Sequence, residues 1–562
     1  MSERILTPLS VWGKFSYEKE INLELIAETK KRNLEYREVY IDGRKIGDER
    51  VKIYAKMISK TETEDAPVII LVQKYVDGSD VTLAEDLAKK GYIVTVLDVG
   101  GKRDDGQRYT LYPEKISYAN YDKQRVNCVE LEKNATESCF YEWTNVFLYA
   151  YEFLRRNGAK KIGVIAVEDF ANAVWQSSMV IEDMACAVII SNAGWQGYKG
   201  INKFADVDSP IFSDDAVRFI AGVDSQSYAK HVKFPVYYVS PTNHPEYDVD
   251  RAYDTVTQIN ESVYTAINYS VGSRESINYK CYQSILLFLE QMLNKGEEEK
   301  FLPTEILING EIIDGKIVIE VTPDIKNLKQ LSLFYAEDII EPEKRIWQVI
   351  NDSKLNKEGK FEFVHTPFKD SKTAMFFARA EYQNGFRLCS NVICKKFEPT
   401  DVDGEHRYRV LYSSRILDGE RFFSSRLENE EKPTGIIITK DGASVKEKKG
   451  AFDITGLYSK GGLLTFKIGA KKYKPTEGEM MMLDVYMENG GEIEVKLIAD
   501  FYGNPMQYVA TEKINAGIWQ NVKLEMADFK LEGGLPLKTY QKIEAIEINS
   551  KNDFIINNVL WV

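Results

Sequence analysis

Short, continuous apolar runs recur through the first half of the chain. Residues 68–72 (VIILV), 92–97 (YIVTVL), 162–165 (IGVI), 186–190 (CAVII) and 235–240 (PVYYVS) read as strands buried on both faces of a sheet. Between them, 83–90, 142–156, 171–179 and 279–293 predict helices, the first ending at Gly91, a C′ glycine. Residues 51–58 (VKIYAKMI) alternate apolar and polar and predict an early edge strand, after a polar helix over 23–33 and a strand over 35–40. Strands alternating with helices predict a parallel, doubly wound sheet.

The pattern changes after Gly296, where a polar stretch begins at 296–300. Helical periodicity then stops, and alternating segments at 316–321, 330–336, 360–365, 374–380 and 391–394 predict a small β-sandwich. A second polar stretch, 398–404, precedes further strands at 463–468, 481–487, 492–499, 522–525, 545–549 and 554–561. The chain is therefore expected to be multidomain, an α/β domain over 1–300 followed by all-β sandwiches over 301–400 and 401–562, each a separable folding unit.

A net charge of −13 argues against nucleic acid and anionic membrane as partners. No apolar run approaches the roughly 18 residues of a membrane-spanning helix. The opening MSERILTPLS has no basic region followed by an apolar one, so a cytoplasmic protein is expected. Cysteines at 128, 139, 186, 281, 389 and 394 follow no zinc or redox spacing and read as free thiols. Neither a metal site nor a cofactor is expected, and the oligomeric state is open.

The stretch 160–176 (KKIGVIAVEDFANAVWQ) joins a buried strand to a helix through Ala166-Val167-Glu168-Asp169-Phe170. In its order of pieces the first 300 residues resemble the acetyl xylan esterase and dienelactone hydrolase-like branch of the α/β-hydrolases. In that fold the strand–helix turn is the nucleophile elbow, G-x-S-x-G. The resemblance extends to 109–113 (YTLYP), Tyr118-Ala119-Asn120 and Tyr141-Glu142-Trp143 before the elbow. The last module is similar to jelly-roll carbohydrate-binding modules at 519–522 (WQNV) and 555–559 (IINNV), and the middle one is immunoglobulin-like.

What the resemblance implies for function fails residue by residue. It puts Glu168 at the nucleophile, Ala166 at the first glycine and Phe170 at the second, where it would crowd the turn. Gln73-Lys74 stands where the family has an oxyanion His-Gly, with Asp169 beside the nucleophile position. His244, in Asn243-His244, replaces the triad acid, and 270–279 (SVGSRESINY) lacks the triad histidine, with Arg274 in its place. A serine attacks only because an oriented imidazole takes its proton, and a glutamate carboxylate is a weak nucleophile towards esters. The triad positions are thus degenerate, and a non-catalytic relative engaged in carbohydrate recognition or scaffolding is expected. The alternative is a hydrolase using an unrecognised set around Glu168 and His244, as an acid–base pair or a metal site; Arg274 would otherwise pair with Glu168 in a charge-balanced cluster.

Aromatic faces stack on sugar rings, so Tyr109, Tyr112 and Trp195, with Tyr118 and Tyr121, are candidates for an oligosaccharide cleft. The competing reading has them covering the sheet edge. Trp519 and Trp561 are expected in the jelly-roll core, and Asn557-Asn558 stands where these modules carry an acidic calcium ligand.

Overall fold

The computed structural model describes residues 5–562 except 62–64, 77, 122–128, 130, 207–209, 273–276, 297–300, 415–423, 426–437, 440–445, 461 and 502–503. Its first half is a nine-stranded sheet: β1 (Leu23–Lys31), β2 (Leu34–Ile46), β3 (Glu49–Lys60), β4 (Val68–Gln73), β5 (Ile93–Asp98), β6 (Ile162–Val167), β7 (Cys186–Ile190), β8 (Val236–Pro241) and β9 (Thr265–Ser270). The spatial order is β1-β2-β3-β5-β4-β6-β7-β8-β9.

From β5 to β9 neighbouring strands are parallel, and β1, β2 and β3 are antiparallel additions, with Ala55 opposite Leu97 where β3 meets β5. The continuous apolar runs map onto the parallel strands: β4, β6, β7 and β8 are buried at every position. Their residues divide by parity between two cores. Val68, Ile70 and Val72 face the core beneath the 18-residue helix Cys139–Arg156, whereas Ile69 and Leu71 face the core beneath Tyr279–Leu293.

Three expectations change here. Residues 23–31 form the edge strand β1, not a helix. Arg32 and Asn33 both have positive φ (51° and 63°), the geometry of a two-residue hairpin turn, so pairing with β2 outweighs the helical propensity of Leu, Glu and Lys. Because β1 and β2 lie outside it, β3 is an interior strand. The sheet is mixed rather than wholly parallel, and β9 was absent from the apolar pattern because Asn268 and Ser270 interrupt it.

Residues after 300 form two sandwiches. The middle one packs strands Lys316–Thr322 and Phe361–His365 against Leu328–Glu337 and Thr373–Tyr382. Its Phe376, Ala378 and Ala380 belong to the same apolar core as Leu289 of the helix Tyr279–Leu293, which covers the nine-stranded sheet. The last pairs a six-stranded sheet, including Met481–Tyr486, Trp519–Leu524 and Phe554–Trp561, with a five-stranded one around Gly491–Ala499 and Ile543–Asn549. Trp561 is fully buried there, as expected. Trp519 is not core: it lies opposite Tyr486 on the face away from the interior, because the side chains of that strand alternate inward at Val522 and Leu524.

Candidate functional site

The carboxyl ends of β4, β6 and β8 reach the same edge of the sheet, where open α/β sheets place their ligands. At the end of β6, Val167 is still extended and Glu168 turns to φ +53°, followed by a 3₁₀ turn, Glu168–Phe170, and the helix Ala171–Ser177. A positive φ at a non-glycine residue is sparsely populated and collects at functional turns. Phe170 does not crowd the turn. Its ring points into the core, 4.9 Å from Trp143 and 5.8 Å from Tyr121, so the helix approaches without a glycine.

His244 follows β8 and is buried, whereas the Glu168 side chain is 46% exposed. The imidazole Nδ1 accepts the backbone N–H of Glu246 at 3.2 Å, which leaves the proton of the neutral ring on Nε2. Nε2 makes no hydrogen bond and lies 3.7 Å from Glu168 Oε1. The His244 ring packs on Tyr247, centroid to centroid 4.5 Å. Asp169 turns the other way. Its Oδ1 accepts hydrogen bonds from Gln196 Nε2 at 2.7 Å and Tyr247 Oη at 2.9 Å. Burial pushes its carboxyl up to about 6, against the lowering effect of the Gln196 bond.

Gln73, at the end of β4, gives its amide hydrogen to Tyr75 O at 2.9 Å, and its Oε1 is buried without a partner. Lys74 places its ammonium 3.8 Å from the Tyr121 ring centroid and 4.8 Å from that of Tyr75, a cation–π arrangement. Its carbonyl accepts the N–H of Gly100. Arg274 lies outside the described residues.

Of the candidate sugar-stacking residues, Tyr112, Tyr118 and Trp195 are tied into the chain by their side chains, and Tyr109 by its backbone carbonyl. Tyr112 Oη donates to Val99 O at 2.7 Å, Tyr40 Oη donates to Tyr109 O at 3.4 Å, and Tyr118 Oη donates to Glu142. Trp195 Nε1 donates to Thr255 Oγ1 at 2.8 Å, with its ring edge-on to Tyr198. Among the described residues, no three His, Cys, Asp or Glu side chains are grouped to hold a metal ion, and no helix is long and apolar enough to cross a membrane.

Sequence reasoning missed three participants. Tyr247 and Gln196 hold Asp169, and nothing in their spacing announces it. Asn243 uses its amide to bind the carbonyls of Pro342, Glu343 and Arg345 from the middle sandwich, the last at 2.7 Å. The chemistry available at the turn is therefore a carboxyl beside a buried imidazole, a pair able to exchange a proton, without a hydroxyl or thiol at the turn residue itself.

No family model and no curated protein matches the sequence. Among solved structures, the acetyl xylan esterase from Paenibacillus sp. R4 is similar at 10% identity, over 51% of this chain and 92% of that one, with a TM-score of 0.37. A Pyrococcus furiosus esterase is similar at 15% identity, over 50% and 100%, with a TM-score of 0.32. A cold-adapted esterase from an Arctic intertidal metagenomic library is similar at 10% identity, over 48% and 100%, with a TM-score of 0.32.

Proposed function

We propose that this chain is a non-catalytic relative of carbohydrate esterases, an α/β-hydrolase-type domain carrying an immunoglobulin-like sandwich and a jelly roll, which recognises an oligosaccharide or serves as a scaffold. The observation that carries this reading is the occupant of the turn after β6: Glu168, held at φ +53° with its carboxyl 3.7 Å from His244 Nε2. Ester hydrolysis of the serine type needs a hydroxyl, a base hydrogen-bonded to it and a group orienting that base. Here the turn offers a carboxyl, and the imidazole is oriented by a backbone N–H rather than by an acid.

Support for sugar recognition comes from the last module. Tyr486 and Trp519 stand side by side on its outer face, centroids 5.5 Å apart and each half-buried, with Gly450 packed against both rings and Trp519 Nε1 donating to Ala451 O at 2.9 Å. Beside them Asn521 Nδ2 donates to Asp484 Oδ1 at 2.8 Å and Asn558 Nδ2 to Asp484 Oδ2 at 2.7 Å. Aromatic faces bordered by amides and a carboxylate suit a hydroxyl-rich ligand. Titration of the full chain with xylo-, manno- and gluco-oligosaccharides tests it. Saturable binding at about millimolar to micromolar Kd, lost in Trp519→Ala, is expected. Silence across the panel removes recognition and leaves scaffolding.

The second reading is a hydrolase in which Glu168 and His244 form the working pair. It is favoured by one observation, the buried His244 Nε2 that makes no hydrogen bond and faces Glu168. Turnover abolished by both Glu168→Gln and His244→Gln would select it.

A further inference from the structure

A cavity of about 200 Å³ lies at the seam between the middle sandwich and the last one. On one wall, the segment after the strand Leu328–Glu337 brings Ile339, Glu341 and Lys344. On the other stand Phe466 and Lys474, with Lys542 and Glu544 at the start of the strand Ile543–Asn549. The two walls are fixed against each other. Ile346, just past the first segment, belongs to the apolar core of the last sandwich, and Ile339 packs against that same core. Phe466 stands edge-on to Phe501 at 4.8 Å, which sets the plane of its ring.

The charges of the lining sort into two groups. Lys344 Nζ lies between Glu341 Oε1 at 3.8 Å and Glu544 Oε1 at 3.6 Å, and Glu544 Oε2 accepts the backbone N–H of Phe501 at 2.9 Å. Both carboxylates are thus engaged. Among the described residues, neither Lys474 nor Lys542 has an ion-pair partner. The Lys474 ammonium is half-buried and donates to Gln541 O, which leaves two further N–H groups to place. Burial pulls its pKa below the ordinary lysine value and Lys471 adds to the pull, with Glu544 offsetting part of it. An anion beside this ammonium would therefore stabilise it.

We propose that this cavity binds a small monocarboxylate with an apolar body, its carboxylate held by Lys474 and Lys542 and its body against Ile339 and Phe466. Three lysines against two glutamates leave the lining at +1, which one carboxylate neutralises and a dianion would overshoot. Ammonium groups donate charge-assisted hydrogen bonds to carboxylate oxygens. At about 30 Å³ per water, the cavity holds roughly seven waters, room for a carboxylate and a single ring. This site does not depend on how the turn after β6 works.

Calorimetric titration of the full chain with sodium benzoate tests it, with benzyl alcohol as the uncharged body and inorganic phosphate as an anion without a body. Saturable benzoate binding at about millimolar Kd or tighter is expected, with no saturable heat from either control. Lys474→Gln and Lys542→Gln should each weaken it by about tenfold, the scale of one charge-assisted hydrogen bond. Lys542 is exposed, so Lys542→Gln keeps the fold and reads the site even where Lys474→Gln destabilises it. No saturable heat from benzoate, either control binding as tightly as benzoate, or benzoate binding unchanged in Lys542→Gln overturns the proposal.

Discussion

Glu168 is held at φ +53° by the chain on either side of it, an extended strand end before and a helix after. A side chain in the left-handed region costs about 1–2 kcal/mol, and glycine escapes that cost. Glu168→Gly is therefore expected to leave stability unchanged or raise it by up to about 1 kcal/mol, and Glu168→Val to lower it, both read from urea midpoints. Restoring a hydroxyl is a different matter. Glu168→Ser alone is expected to gain no esterase activity, because His244 is held by a backbone N–H and no acid orients it. Asp98, at the end of β5, makes the residue-scale case for pH. It is fully buried, accepts the N–H groups of Gly101 and Thr110, and is pushed up by burial to about 7. A carboxyl raised in the folded state contributes stability below its unfolded value near 4, and that contribution is lost as pH rises through about 7. Wild type should thus lose up to about 1.4 kcal/mol per pH unit relative to Asp98→Asn across that window, measured as paired denaturant curves.

At the scale of elements, the hairpin β1–β2 shows what sequence reading reached and what it did not. Strands β4, β6, β7 and β8 and the helix Tyr279–Leu293 were legible because full burial leaves an unbroken apolar run and one-sided burial leaves a 3.6-residue stripe, whereas the helix Cys139–Arg156 is buried on nearly all sides. β1 is exposed almost throughout, so no burial pattern was written into it, and the decisive signal was the left-handed pair Arg32-Asn33. Type I′ turns favour Asn-Gly, so Arg32→Asn/Asn33→Gly should stabilise the hairpin by about 1 kcal/mol. Protection of the β1 amides in hydrogen exchange would report it. The turn after β6 was legible as a strand–helix junction with an acidic residue in it. His244 was legible as a candidate neighbour of Glu168, and it lies 3.7 Å away; the partners of Asp169 were not, because Tyr247 and Gln196 arrive from segments whose course only tertiary packing fixes.

In the whole molecule, the change of periodicity near residue 300 marks a change of architecture but not a gap in packing. Arg345 of the middle sandwich makes a two-pronged ion pair with Asp250 at 2.5 and 2.6 Å, both side chains fully buried. Tyr237 Oη donates to Arg387 O at 2.8 Å across the same junction, with its ring stacked on Phe386. Removing one member of a buried pair strands the other charge, at about 3–5 kcal/mol. Arg345→Met should therefore destabilise the first two modules together, seen as one calorimetric transition moving down in temperature, and a nick within 297–300 should leave the two pieces associated. The same burial makes the middle sandwich a support for the loop that carries Asn243 and His244, so the turn after β6 is held from both sides. The non-catalytic reading stands or falls on whether that well-held turn hydrolyses esters. The measurement is steady-state turnover of p-nitrophenyl acetate and acetylated xylo-oligosaccharides by the full chain and by Glu168→Gln. Rates for both that equal the protein-free reaction are expected; turnover by the wild type that disappears in Glu168→Gln would contradict the non-catalytic reading.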